Sequence, residues 1–122
     1  MADIELWIDG QPPRKSNSRR IAKQGGKTRV IKSRAALDWT EAAILQVPAD
    51  ARRQVGSAER PLAVTMNIFY TSHRPDLSGE LVLDMLQRAG VIKDDRYVYH
   101  LHLFKHFSKN EPGVLIRIET IP

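Results

Sequence analysis

Residues 61–71, PLAVTMNIFYT, alternate apolar and polar side chains with a period of two, whereas residues 76–89, DLSGELVLDMLQRA, repeat them at helical spacing. A β-branched, aromatic strand that runs through the short loop SHRP into an amphipathic helix fits neither an all-helical bundle nor a pure sandwich. The same reading extends along the chain. IELWID (4–9) alternates as an opening strand, stopped by Gly10 and the Pro12-Pro13 pair. SRAALDWTEAAILQV (33–47) places Ala35, Ala36, Trp39, Ala42, Ala43 and Gln46 at helical spacing, with Ser33 as cap and Pro48 as stop. Asp76 is the expected N-cap of the second helix and Gly90 the residue just past its end. RYVYHLHLFKHF (96–107) and GVLIRIETI (113–121) read as two strands joined by the turn SKNEPG into an antiparallel hairpin. The order β, hairpin, α, β, α, β, β predicts one small α+β domain over residues 1–122, with both helices packed on one face of a mixed sheet.

Charge is distributed unevenly. The net charge is +5, and no acid occurs between Asp9 and Asp38. Within that gap Arg14, Lys15, Arg19, Arg20, Lys23, Lys27, Arg29, Lys32 and Arg34 crowd the segment PPRKSNSRRIAKQGGKTRVIKSR. RRIAK and KTRVIK flank Gly25-Gly26 as a hairpin with a glycine tip. A charge run is ordinarily solvated surface. Here Ser16, Asn17 and Ser18 stand among the cations, and Arg, Lys, Ser and Asn together are the set that contacts phosphate oxygens. The expected partner of this hairpin is therefore a nucleic-acid backbone. No apolar run approaches the roughly 20 residues of a membrane helix. The start MADIELWIDG carries acids where a signal peptide carries bases, and cysteine is absent, so a cytoplasmic setting with no membrane contact is expected.

Against this basic background the second helix gathers acid. At about 100° per residue, Asp76, Glu80 and Asp84 fall within roughly 80° of one another, beside an apolar arc of Leu77, Leu81, Val82, Met85, Leu86 and Ala89. Like charges four residues apart repel, and no basic residue lies four after Asp76 or Glu80. A divalent cation removes the penalty: Mg²⁺ takes one or two carboxylates together with water and phosphate oxygens. Asp94 and Asp95 follow just beyond Gly90 and open the next strand. If that strand lies beside residues 61–70, their carboxylates approach those of the helix, the ground plan of a metal-dependent phosphodiesterase.

RPDLSGELVLDMLQRAGVIKDD (74–95) resembles the central motif of the RusA family of Holliday junction resolvases, which runs Asp-x-Asp-Asn-x-x-Lys, then an apolar helix, then Ala-Gly and an Asp-Asp pair. PPRKSNSRR is similar to the family's Pro-rich, Asn-containing start, and TRVIKSRAALDW to its strand-to-helix passage. Lys105 lies where members often place a lysine on the strand after Asp-Asp. The resemblance implies a RusA-like fold and a homodimeric endonuclease that uses Mg²⁺, with Mn²⁺ as a substitute. Such an enzyme cuts branched DNA symmetrically at four-way junctions in recombination and repair. Asp76 matches the first motif aspartate and Asp95 the second of the terminal pair, with Asp94 beside it. In this alignment Ser78 and Gly79 replace the second aspartate and the asparagine, and the motif lysine is missing. Aligned on Ala89-Gly90 instead, Asp76 matches the second aspartate and Arg74 stands at the first. Glu80 is the substitute for the lost carboxylate, and Arg74, Lys93 and Lys105 are the cations available to the scissile phosphate.

The expected metal ligands are thus Asp76, Glu80 and Asp95, with Asp94 in support of catalysis. The DNA contacts expected are Arg14, Lys15, Asn17, Arg19, Arg20, Lys23, Lys27, Arg29, Lys32, Arg74 and Lys105. Two other readings compete: a non-catalytic nucleic-acid-binding module with a degenerate motif, and an interaction protein that binds an acidic partner through the hairpin. His100, His102 and His106 alternate along one strand with Val98 and Phe104, a pattern that serves a polar sheet face, contact near DNA or, less ordinarily, a transition metal. His73 stands in the loop before the acidic helix, and Trp7 and Trp39 sit at core spacing.

Overall fold

The computed structural model describes residues 4–13 and 19–122. The elements are β1 (Ile4–Asp9), β2 (Arg19–Gln24), β3 (Lys27–Lys32), α1 (Arg34–Gln46), β4 (Leu62–Tyr70), α2 (Glu80–Arg88), β5 (Val98–Phe107) and β6 (Gly113–Thr120). A four-stranded sheet runs in the order β1-β6-β4-β5, and β2 and β3 make a separate two-stranded sheet. Alternation dictates the layers. β4 buries Leu62, Val64, Met66, Ile68 and Tyr70, β6 buries Val114, Ile116 and Ile118, and β1 buries Ile4, Leu6 and Ile8. Ala36 and Ala43 of α1 and Val82, Met85 and Leu86 of α2 are buried as well. Both helices therefore lie on one face, as the sequence pattern requires, and the other face is open.

The local signals hold where they are local. The Ser33 hydroxyl accepts a hydrogen bond from the Ala36 N–H and caps α1. Gly25 and Gly26 take φ of 58° and 77° in the two-residue turn between β2 and β3, a conformation in which a side chain is strained. Both faces of this hairpin carry cations, since the register puts Arg20, Lys27 and Arg29 on one face and Lys32 on the other. The apolar pair of the ribbon, Ile21 opposite Val30, is left exposed rather than buried against the main sheet.

The long-range pairing differs from expectation. β5 and β6 do not form a hairpin: β5 pairs parallel with β4, and β6 pairs antiparallel with both β4 and β1. The loop between Phe107 and Gly113 hops over β4, a span of about 10 Å for two strand spacings, which five residues easily reach. α2 is the crossover between the parallel pair, as such a pair demands. Trp7 also departs from its expected core place. It is 40% exposed on the open face, where its ring tilts against Phe69 at 5.7 Å. Trp39 packs against the core and donates to the Gly10 carbonyl.

Gly113 shows how closely β1 and β6 approach. A Cβ there lies 2.5 Å from the Ile8 carbonyl oxygen and 2.5 Å from the Trp7 ring. The indole can swing aside, but the carbonyl belongs to the adjoining strand. Gly113→Ala is expected to cost about 3 kcal/mol by overpacking and to lower the thermal midpoint by on the order of 10 °C. A calorimetric melt checks it, and an unchanged midpoint contradicts the close approach.

Candidate active site

β4 ends at Tyr70, whose buried phenol accepts a hydrogen bond from the Ser78 backbone N–H. Burial pushes the phenol above its ordinary pKa; the Ser78 N–H pulls the other way, and the Asp76 carboxylate adds to the rise. Tyr70 thus stays neutral and anchors the loop that carries Asp76. Because the folded pKa is raised, this contribution to stability is complete below the ordinary value of 10.0 and is lost as pH climbs through the raised one. The anchor also explains where α2 begins. Gly79, not Asp76, precedes the first helical residue, and it offers no side-chain cap. A Cβ on Gly79 would meet Leu103 at 2.8 Å and Met66 at 3.0 Å, so the chain must pass flat over β4 and β5 before the helix can start. Asp76 lies exposed in that loop, four residues ahead of exposed Glu80 at the helix start.

A cation joins this end of the sheet. The Lys105 ammonium donates to the His73 carbonyl at 2.9 Å and lies 6.0 Å from the centre of the Tyr70 ring. His73 stacks on Phe107 at 4.6 Å, and Arg74 is exposed beside it. Of the three cations in question, Arg74 and Lys105 stand at the Asp76 end and Lys93 at the other.

Asp84 does not belong to an unneutralised stripe. Its carboxylate pairs with the Lys32 ammonium, and both side chains are half-buried. Lys32 ends β3, so this pair fastens the root of the basic hairpin to the middle of α2. The partner lies 52 residues away in sequence, beyond the reach of any i,i+4 argument.

Asp94 and Asp95 sit at the far end of α2. Asp94 caps a short 3-10 turn, Asp95–Tyr97, by accepting from the Arg96 N–H, and its carboxylate lies 3.5 Å from the Arg96 guanidinium. The Asp95 N–H donates to the Gln87 side chain in the last turn of α2, and its own carboxylate is exposed. β5 begins only at Val98, so neither aspartate opens the strand. β5 does lie beside β4, yet parallel pairing puts its start next to Leu62 while Asp76 follows Tyr70 at the opposite end. At 1.5 Å per residue, the span from Glu80 to Gln87 alone is about 10 Å. Within one chain, then, Asp76 and Glu80 are together at one end and Asp94 and Asp95 at the other. Among the described residues no three His, Asp or Glu side chains of one chain gather closely enough to hold a metal ion. That includes the histidines of β5. His100, His102 and His106 do share the open face with Phe104, but Val98 falls opposite Leu62 on the core side, because the register shifts between Leu62 and Ala63. His106 is engaged by Asn67 at 2.7 Å and stacks on Phe69.

Of the expected DNA contacts, Arg20, Lys27 and Arg29 stand exposed on the hairpin, and Arg19 and Lys23 lie on β2. Arg14, Lys15 and Asn17 fall outside the described residues. Sequence reasoning missed the Tyr70–Ser78 anchor, the Lys105–His73 contact and the Lys32–Asp84 pair. None of the three left a local trace, since even Asp84 has Arg88 four residues on as the nearer counter-ion in sequence.

A two-faced basic ribbon pinned to a helix with exposed carboxylates at both ends equips an α+β domain to handle and cut a polyanion. A sequence profile of the family described as endodeoxyribonuclease RusA matches residues 9–119. The crossover junction endodeoxyribonuclease RusA of Aquifex aeolicus (strain VF5) is 31% identical over 120 residues, covering 97% of this chain and 92% of that protein. The chain belongs to the RusA family of endodeoxyribonucleases. No helix among the described residues is long and apolar enough to cross a membrane.

Proposed function

We propose that this endonuclease resolves four-way DNA junctions by paired, Mg²⁺-dependent hydrolysis, and that each of its two sites is built from two protomers. The observation that carries the reading is the placement of exposed acids at both ends of one helix to which the basic hairpin is fastened. Asp76, Glu80 and Asp95 are hard oxygen donors of the kind Mg²⁺ takes, but one chain holds them apart. A two-fold axis crossing α2 at right angles sets the head of one helix beside the tail of its copy. Asp76 and Glu80 of one protomer then meet Asp95 of the other, with Asp94 in support. When bound there, the metal supplies an activated water and stabilises charge on the phosphate. The chain's own side chains do the rest. Lys105, held over Tyr70, neutralises the scissile phosphate in place of the missing motif lysine. Arg20, Lys27 and Arg29, with the other cations of the hairpin and Arg74, hold the backbone by charge, so affinity falls steeply with salt. No described helix presents a row of base-reading side chains, and selection by the shape of the branch follows.

The test is incubation with a four-way junction and with linear duplex, each in Mg²⁺ or in EDTA. Paired nicks in the junction alone, dependent on Mg²⁺, are the expected result. DNA that is retarded but uncut under both conditions would instead make the protein a binding module. The Lys32–Asp84 pair adds a second expectation. Half-buried, it contributes up to about 1 kcal/mol to stability, so Asp84→Asn should melt close to the parent. Junction affinity should nevertheless fall by roughly tenfold at fixed salt, because the hairpin loses its orientation, while the salt slope stays the same with the same number of cations. The exchanged pair Lys32→Asp with Asp84→Lys should recover affinity. Equal affinities of the parent and Asp84→Asn would show that the pair does not orient the hairpin.

A further inference from the structure

Ile21 of β2 and Val30 of β3 stand directly opposite each other in the basic hairpin and are 71% and 65% exposed. Of the large apolar side chains described, only Leu45 is more exposed. Cβ atoms of directly opposed residues lie about 5 Å apart, so the two side chains form one aliphatic patch in the middle of the ribbon. Strand formation does not require that patch. Threonine is equally β-branched and would keep the strand without leaving apolar surface in water. The register also gives the ribbon two unlike faces. Arg20, Lys27 and Arg29 share one, and Ile21, Thr28, Val30 and Lys32 share the other. Lys32 is the side chain that pairs with Asp84 of α2, and Val30 lies two residues further out, about 7 Å along the strand. The aliphatic patch is therefore on the side of the ribbon that meets α2, and the exposed cations are on the reverse. A second copy of the hairpin is a poor cover for it, since no acid occurs between Asp9 and Asp38 and two such ribbons repel.

We propose that Ile21 and Val30 form a wedge that presses against unstacked base faces at the branch point, while Arg20, Lys27 and Arg29 on the reverse hold phosphates. This rests on the junction-resolving reading above and names the part of the junction that is sensed. The base pairs bordering an open crossing each present a face on which no neighbour stacks, an apolar surface that the interior of a duplex does not offer. Aliphatic side chains set against base steps are a recurrent way of occupying such faces. Unstacking costs least where pairing is already broken, which favours a branch over an arm. Cations alone do not make that distinction, because phosphates line branch and arm alike. The ribbon divides the work: one face supplies affinity, and the other supplies preference. The Lys32–Asp84 pair then fixes the wedge relative to α2 and the acids at its ends.

2-Aminopurine, a base that brightens when unstacked, is placed either beside the crossing of an immobile four-way junction or deep in one arm, and the full chain is added in EDTA. The expected result is a several-fold rise at the crossing and none in the arm. Ile21→Thr with Val30→Thr keeps the β-branched shape and every cation, and its melting curve should match the parent's, because both side chains are exposed. This variant should lose the rise and bind the junction about tenfold more weakly, as expected when two aliphatic side chains forfeit part of their burial. Its affinity for linear duplex and the salt slope should equal the parent's. Ile21→Leu with Val30→Ile, still apolar, should keep the rise. No rise at the crossing with the parent, or an undiminished rise with the threonine pair, overturns the wedge. Equal weakening on junction and duplex overturns it too, as does a lower sedimentation mass of the threonine variant, which would make the patch a contact between copies. Mg²⁺ added to the same samples separates the two ideas. Cutting without the rise leaves the function standing and ends the wedge, whereas a rise without cutting does the reverse.

Discussion

Asp95→Asn is expected to abolish cutting of four-way junctions, with a loss on the order of 10³-fold or more, as when a group that stabilises transition-state charge is removed. Stability and binding should survive. The Asp95 carboxylate is exposed, no hydrogen bond or ion pair engages it among the described residues, and the contact that fixes its position is made by its backbone N–H to Gln87, which asparagine keeps. A substitution of that kind changes stability by about 0.5 kcal/mol at most. Affinity for the junction should hold or tighten, because the change removes a negative charge that faces phosphate. The measurement is a pair of assays on one preparation: retardation of a labelled junction in EDTA, then product formation after Mg²⁺ addition. A variant that binds and still cuts shows that the acid at the tail of α2 has no part in the chemistry. The contrast with Asp84 sharpens the expectation, since its carboxylate is already paired with Lys32 and its loss should move affinity rather than turnover.

The elements that could be read from the sequence are those whose signal is local. Period-two alternation gives β1 and β4 nearly to the residue, the two glycines between cationic runs give the β2–β3 turn, and Ser33 with Pro48 brackets α1. What escaped is non-local. A five-residue connection between two strands is the ordinary mark of a hairpin, and nothing in residues 108–112 says that the chain will step over β4 instead. Asp76 carries the signature of an N-cap, yet the Tyr70 phenol holds the Ser78 N–H, and Gly79 must lie flat on Met66 and Leu103, which delays the helix by three residues. The acids themselves were legible as exposed carboxylates on and around one helix. Their separation was not, because it follows from the parallel direction of β5, and direction is a property of pairing rather than of either strand. The acids are correspondingly split between the two ends of α2, and the two-protomer site proposed above would close them through symmetry that a single chain does not contain.

Mixing two inactive variants tests that closure directly. Asp76→Asn and Asp95→Asn should each be inert alone, yet together recover cutting. If each site takes Asp76 from one protomer and Asp95 from the other, a mixed dimer concentrates both lesions in one site and leaves the other intact. Random exchange of equal amounts makes roughly half the dimers mixed, so about a quarter of all sites should be whole. Because a mixed dimer has one working site, it should nick junctions on one strand and fail to release paired, resolved duplexes. If Asp76 and Asp95 serve the same site from within one protomer, every site in the mixture carries a lesion and no activity returns at any ratio. Co-expression, or unfolding and refolding of the mixture, ensures exchange, and sedimentation of differently tagged chains verifies it. Recovery of single nicks without paired cuts is an outcome that a one-chain site cannot produce, and its absence in verified mixed dimers would return the metal ligands to a single chain and leave the separation of the two ends of α2 to be explained by movement of the loop that carries Asp76.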